Sequence, residues 1–386
     1  MKKNKTIRFS MLMGGYFAAA VIFYSYLPMF LKDFGYSELE IGIVMMWALL
    51  SGLVCQLVLG YVADRFNCFK QIIISAFVVM TASLPLLFLF SGAPAFVTAF
   101  AIIVLGPVGI PVGMMDSWVA KLGDVDYGKA RSAGSIAYAI FSIMLGQAFA
   151  ALGNHVAVYV MAGIFIIVMC ILMGLRNPTI TETAPKITVT ESIRYLKGNR
   201  SFLFMLVGSA LLGITFASTS TYFPILIVEL GGAQAELGIA LFIMATVEFV
   251  VMLFVTKLSK RFGSVMLLVV GYLGFFVKSV AFSLSAQVWH IYLFCLLQCV
   301  SFALVIPGVV LYLSERVDKK YLAAALLVNL SVGTVFEMIG NPVCGLISEL
   351  VNVHTMIFIA SIPALIAAII FIFVPKKLPE QPAVNG

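Results

Sequence analysis

Twelve apolar runs, each long enough to cross a bilayer, follow one another with almost nothing between them. They fall at 9–31, 40–63, 71–91, 95–120, 132–152, 156–175, 201–228, 237–257, 264–284, 289–313, 322–346 and 354–374. A helix crosses the hydrocarbon with about 20 apolar residues. No water is available there to satisfy backbone amides, so runs of this length must close their hydrogen bonds internally as helices. Only 11% of the 386 residues are charged and 62% are hydrophobic, against about 25% charged in a soluble domain. So little polar surface cannot cover so apolar an interior. The expected fold class is all-α integral membrane, with 12 transmembrane helices. The one long polar connection, 176–200, holds Pro178 and Pro185. It separates an N-terminal six-helix half, 1–175, from a C-terminal half, 201–375, and leaves 376–386 as a disordered tail. Ile193, Tyr195 and Leu196 give the linker an amphipathic stretch suited to the membrane surface.

The two halves share landmarks at one offset. Tyr26-Leu27-Pro28 returns 196 positions later as Tyr222-Phe223-Pro224, and Glu40-Ile41-Gly42 as Glu236-Leu237-Gly238. Arg65-Phe66 returns as Arg261-Phe262, and Ile110-Pro111 as Ile306-Pro307. Four matches at one spacing indicate a duplicated unit, the plan of many secondary transporters with a site between the halves.

Charge fixes orientation. With the N-terminus cytoplasmic, all but two of the 24 basic residues, Lys32 and Lys278, fall in cytoplasmic segments. That asymmetry is the positive-inside pattern. It places both termini in the cytoplasm of a multi-pass cell-membrane protein. The net charge of +7 is scattered over short loops, so no nucleic-acid partner is expected. The six cysteines lack metal-ligand spacing, and His155, His290 and His354 sit at outer helix ends as interfacial anchors.

Two motifs narrow the family. Gly60-Tyr61-Val62-Ala63-Asp64-Arg65-Phe66-Asn67-Cys68-Phe69-Lys70 resembles the loop signature Gly-x-x-x-Asp-Arg-x-Gly-Arg-Arg-Lys of the major facilitator superfamily. It departs at Asn67, Cys68 and Phe69. Through Gly60, Asp64, Arg65 and Lys70 the resemblance implies a conformational tie between helices, and the second half lacks the Asp. Tyr127-Gly128-Lys129-Ala130-Arg131-Ser132-Ala133-Gly134 is similar to a stretch of lactose permease and the related oligosaccharide, nucleoside and phenylpropionate proton symporters. By that resemblance Arg131 binds substrate and pairs with Asp116, Tyr138 stacks on a sugar, and Glu248 and Lys278 correspond to a helix-8 acid and a helix-9 cation. The helix-10 His and Glu of lactose permease have no counterpart in 289–313.

Asp116, Glu248, Lys278 and Glu337 stand in apolar runs without any appeal to family. A charge at the bilayer centre costs about 2.5–3.5 kcal/mol on insertion scales, so such residues line cavities, pair, or carry ions. Glu248 lies about ten residues from either end of its run, near the midplane at about 1.5 Å per residue. It is the expected proton carrier, within reach of Lys278. Tyr24, Tyr26, Gln56, Tyr222, Gln298 and Asn329 are further candidates for the cavity wall.

The expected function is proton-coupled symport of a small polar solute, a sugar or oligosaccharide first, then a nucleoside or aromatic acid. The expected substrate residues are Asp116, Arg131, Tyr138, Lys278, Glu337, Tyr26 and Tyr222. A proton-driven exporter is the alternative, and a non-accumulating sensor or lipid flippase the second. No cofactor is expected beyond the proton gradient. The partners expected are substrate, protons and lipid, with the chain a monomer. No His-Glu-x-x-His, Gly-x-Ser-x-Gly or phosphate-binding loop points to an enzyme.

Overall fold

The computed structural model describes residues 2–122, 125–175, 177 and 189–374. Twelve helices among them have the length and apolarity to span a membrane: α1 (Lys5–Asp33), α2 (Glu38–Ala63), α3 (Phe69–Leu89), α4 (Pro94–Val119), α5 (Tyr127–Leu152), α6 (Val156–Met173), α7 (Arg200–Glu229), α8 (Gln234–Met252), α9 (Ser264–Ser283), α10 (Val288–Arg316), α11 (Leu322–Leu350) and α12 (Val353–Ile372). They match the twelve apolar runs, and no strand occurs among the described residues. Arg176, Pro178, Pro185, Lys186 and the tail 376–386 lie outside the described residues.

The repeated landmarks become repeated local structure. Glu40 accepts from the Ser37 amide at 2.9 Å and Glu236 from the Ala233 amide at 2.8 Å. Each thereby satisfies one of the orphan donors at a helix start, opening α2 and α8 alike. Pro28 and Pro224 each sit in the first turn of a short terminal helical segment, Leu27–Asp33 and Phe223–Glu229. A missing N–H costs nothing at that position.

Helix irregularities fall where function is expected. A π-helical turn, Ile22–Tyr26, interrupts α1, another, Ala101–Leu105, interrupts α4, and a 3₁₀ turn, Leu296–Val300, interrupts α10. Such turns redirect side chains and often mark functional positions.

The halves meet along α2 with α11 and α5 with α8, while α1 with α5, α7 with α11, and α9 with α12 pack within a half. The contacts that fasten the halves lie at the end opposite the chain termini. There the Gln234 amide donates to Asp33 at 2.7 Å, and the Leu39 N–H donates to Glu349 at 3.0 Å. Toward the termini the halves part. A groove of about 310 Å³, lined by Leu57 of α2 and by Leu327, Val328 and Ser331 of α11, separates those two helices.

The linker forms a helix, Val189–Gly198. It docks on the C-terminal half. Leu196 is buried, Tyr195 stacks on Tyr321 at 4.2 Å, and Glu191 bonds Lys320 at 2.6 Å and Tyr321 at 2.7 Å. Ile193 stays exposed.

Candidate functional site

A cavity of about 630 Å³ lies between the halves, walled by α1, α2, α4 and α5 on one side and α7, α8, α9, α10 and α11 on the other. Ser331 borders both this cavity and the α2–α11 groove. Much of the wall is aromatic, including Phe17, Phe23, Tyr24, Tyr138, Phe216 and Phe302. The charged side chains on the wall, Arg131, Glu248, Lys278 and Glu337, fall in three groups.

The first group is Glu248, Gln298 and Lys278, from α8, α10 and α9. Sequence reasoning puts Glu248 and Lys278 near enough to pair, and the structure interposes Gln298 between them. Lys278 donates to the Gln298 Oε1 at 2.8 Å, and the Gln298 Nε2 donates to Glu248 at 3.3 Å. The ammonium can only donate, so it fixes the amide with its carbonyl toward Lys278 and its NH₂ toward the carboxylate. The tight 3₁₀ turn carries Gln298, and Lys278 is 4% exposed. The Phe275 ring also lies 4.6 Å from the ammonium.

The second group is in the N-terminal half. Arg131 of α5 packs its guanidinium over Phe17 at 4.5 Å, and its buried Nη1 has no hydrogen-bond partner. Tyr138, two turns further along α5, shares a 2.7 Å hydrogen bond with Ser25 on the π-helical turn of α1. The third group is Glu337 of α11, which accepts from Ser220 of α7 at 3.1 Å.

Several expectations need correction. Asp116 is not on the cavity wall and does not bond Arg131. Its carboxyl is close to Tyr127 and Arg131, and its Oδ1 is buried without a hydrogen-bond partner. The helix is interrupted at Gly109, ahead of the segment that carries Asp116. Tyr26 and Tyr222 are fully buried and absent from the wall, because both hydroxyls are engaged in the closed end between the halves. Asn329 bonds Ser209 within the C-terminal half at 2.7 Å. Tyr24, Gln56 and Gln298 do line the cavity. Sequence reasoning missed Ser25 and Phe17, since a small hydroxyl and one phenylalanine among 32 carry no distinguishing signal.

The loop after α2 stands apart from the cavity. Asn67 adopts the left-handed conformation, φ 51°, at the position where the signature has glycine; asparagine tolerates that region better than most residues. Arg65 bonds Tyr61 at 3.1 Å, while Lys70 holds the Leu175 carbonyl at 3.2 Å, tying the loop to the end of α6. Gly60 has open space around it. The Asp64 side chain lies outside the described set.

A model of the MFS_1 like family matches residues 7–360. The chain belongs to that family. Among curated proteins, the maltose permease of Geobacillus stearothermophilus is 28% identical over 54% of this chain and 52% of its own length. The uncharacterized transporter YwbF of Bacillus subtilis (strain 168) is 25% identical over 57% of this chain and 54% of its own. The matched stretch thus spans about half the length of these relatives. Among solved structures, the nucleoside transporter NupG superposes with a TM-score of 0.77 at 15% identity, covering 95% of this chain and 98% of that one. A bacterial homolog of the human lysosomal transporter Spinster, inward-facing and unoccupied, superposes at 0.74 and 11% identity, covering 96% of each. At such identities the likeness is one of fold. This MFS_1 like chain therefore has the major facilitator architecture, and its named relatives and neighbours are transporters, not enzymes.

Proposed function

We propose that this chain is a secondary transporter that takes up a small polar organic solute together with protons by alternating access. A sugar or oligosaccharide is the first substrate class, and a nucleoside or aromatic acid the next. The observation that carries the reading is the central cavity, which brings Arg131, whose buried Nη1 has no hydrogen-bond partner, opposite the hydrogen-bonded Glu248–Gln298–Lys278 group. With both termini cytoplasmic, as the basic residues argue, the closed end faces outward and the cavity opens inward.

In this reading the Arg131 guanidinium donates to substrate oxygens, and the Tyr138 ring offers a flat apolar face for stacking. Glu337 and Ser220 face it from the other half. Glu248 carries the proton. Its charge is felt at Lys278 through the Gln298 amide, so gain or loss of a proton alters how firmly three helices are joined. Ser25 and Tyr138 join α1 to α5 in the same wall, so a ligand there touches elements that move together. The name of the maltose permease relative supports a sugar, and the fold of NupG is compatible with a nucleoside.

One observation favours the exporter instead: Phe17, Phe23, Phe216, Phe249, Phe302 and Met244 make much of the wall apolar. A thermal-shift panel of maltose and related sugars, nucleosides, aromatic acids and lipophilic cations on the purified chain separates the two. A ligand that binds only the folded state stabilises it in proportion to its concentration over its Kd. Stabilisation by a sugar or nucleoside is the expected result. Stabilisation by lipophilic cations alone overturns symport in favour of export.

A further inference from the structure

We propose that Tyr26 and Tyr222 form a duplicated latch that fastens the outer end of the two halves and whose release opens that end during the cycle. The proposal rests on alternating access, but not on the identity of the solute or on protons.

The latch is built twice at the repeat offset. The Tyr26 hydroxyl donates to the Ser142 carbonyl of α5, in its own half, at 2.6 Å, and the Gln234 carbonyl of the opposite half stands at 3.4 Å. The Tyr222 hydroxyl donates to the Asn341 carbonyl of α11, in its own half, at 2.6 Å, and the Glu38 carbonyl of the opposite half stands at 3.1 Å. Gln234 is the repeat mate of Glu38, as Tyr222 is of Tyr26. Each ring therefore crosses the seam at equivalent points of two pseudo-symmetric interfaces.

The seats are glycines. A Cβ at Gly238 would stand 2.6 Å from the Ser142 carbonyl oxygen and 2.8 Å from the Tyr26 hydroxyl, and one at Gly146 would stand 2.5 Å from the Gln234 carbonyl oxygen. On the other seam a Cβ at Gly42 would lie 2.4 Å from the Tyr222 hydroxyl, and one at Gly345 would lie 2.5 Å from the Glu38 carbonyl oxygen. Gly42 and Gly238 are the glycines of the repeated Glu-x-Gly motif. The motif's acid caps the helix, and its glycine lets the opposing backbone and the tyrosine hydroxyl close.

The chemistry suits repeated release. One O–H supplies one proton, here shared between a near carbonyl of its own half and a farther one across the seam. When the halves part, the hydroxyl keeps its own-half partner. No donor is stranded, and the cost of a buried unsatisfied group is avoided. An ion pair in the same place would leave two charges behind. Both latch residues also adjoin the cavity wall. Ser25 precedes Tyr26 and Thr221 precedes Tyr222, and both line the cavity, so ligand contact there acts one peptide away from each latch.

Cys344 is a built-in reporter. It is 2% exposed, on α11 next to Gly345 at the Tyr222 seam. The test measures the N-ethylmaleimide labelling rate of Cys344, resolved by peptide mass spectrometry, on the full chain in lipid nanodiscs without substrate or gradient. Tyr26→Phe, at the other seam, removes the hydroxyl's contact with the Gln234 carbonyl across the seam and is expected to raise that rate about threefold, the low end for one hydrogen bond. Tyr26→Phe/Tyr222→Phe is expected to raise it further. Tyr312→Phe, which loses a bond to the Ser201 carbonyl within one half, should leave it unchanged. Gly238→Ala, which wedges the Tyr26 seam by a backbone clash, should raise it too and stands in if Tyr26→Phe does not fold. A Cys344 rate within twofold of the parent in Tyr26→Phe and Gly238→Ala overturns the latch. So does an increase confined to Tyr222→Phe, which marks local loosening only. Raised labelling in a chain that moves no solute refutes the transport reading and leaves the latch standing.

Discussion

Gln298→Leu isolates the group at the centre of the cavity. The substitution keeps the side chain's approximate size and removes both its hydrogen bonds, at 2.8 Å to Lys278 and 3.3 Å to Glu248. Hydrogen bonds to charged groups contribute about 1.5–3 kcal/mol. Bonds between neutral groups inside membranes average about 0.6 kcal/mol, because the released groups find other partners. Lys278 is 4% exposed, and its ammonium cannot be re-solvated cheaply, so the upper range applies. The expected loss is about 2 kcal/mol, roughly thirtyfold in the folded-to-unfolded ratio. Equilibrium unfolding in mixed micelles measures it. In a Lys278→Met background no ammonium is left stranded and only the longer bond to Glu248 is lost, so Gln298→Leu should cost about 1 kcal/mol, half as much. Equal costs in the two backgrounds would refute the argument that Gln298 serves Lys278.

Arg131→Gln should weaken binding of the stabilising solute about tenfold or more, a charge-assisted hydrogen bond in affinity terms, with a fall in unfolding midpoint that reflects only the lost contacts with Phe17 and Asp116. Calorimetric titration reads the first and thermal denaturation the second; unchanged affinity removes Arg131 from the site. At the linker, hydrogen bonds from Lys320 and then Tyr321 hold the Glu191 carboxyl below its ordinary range. A depressed carboxylate contributes to docking above its unfolded pKa, about 4.3, and that contribution fades as pH falls through the lower folded value. Hydrogen exchange of 189–198 should therefore quicken below about pH 4, and at neutral pH in Glu191→Gln. Identical exchange in the variant and parent would show that this ion pair does not hold the linker.

The fold was legible in the sequence because lipid leaves so few alternatives. Runs of about 20 apolar residues and one-sided basic loops suffice for twelve helices, and the observed bounds of α3 and α6 depart from the expected ones by only a few residues. The repeat was legible as a pattern, but its meaning was not. Tyr26 and Tyr222 look like cavity aromatics until their hydroxyls are seen to end on backbone carbonyls across a seam, a contact that leaves no trace in residue identity. Three of the four buried charges that the sequence singles out, Glu248, Lys278 and Glu337, line the cavity. The pairing failed twice for one reason. Where α10 tightens into a 3₁₀ turn and α4 passes through a π turn, side-chain directions no longer follow from a regular helical period. Gln298 enters between Glu248 and Lys278, and Asp116 stands off the cavity wall.

The most direct test of proton-coupled uptake is solute accumulation in proteoliposomes with an imposed pH gradient, comparing the parent chain with Glu248→Gln. The account predicts that the parent concentrates the sugar or nucleoside found in the thermal-shift panel when the outside is acidic, and loses it on adding a protonophore. Glu248→Gln is predicted to bind and exchange the same solute without concentrating it. Undiminished accumulation by Glu248→Gln, or no gradient-driven accumulation by the parent, would contradict the account.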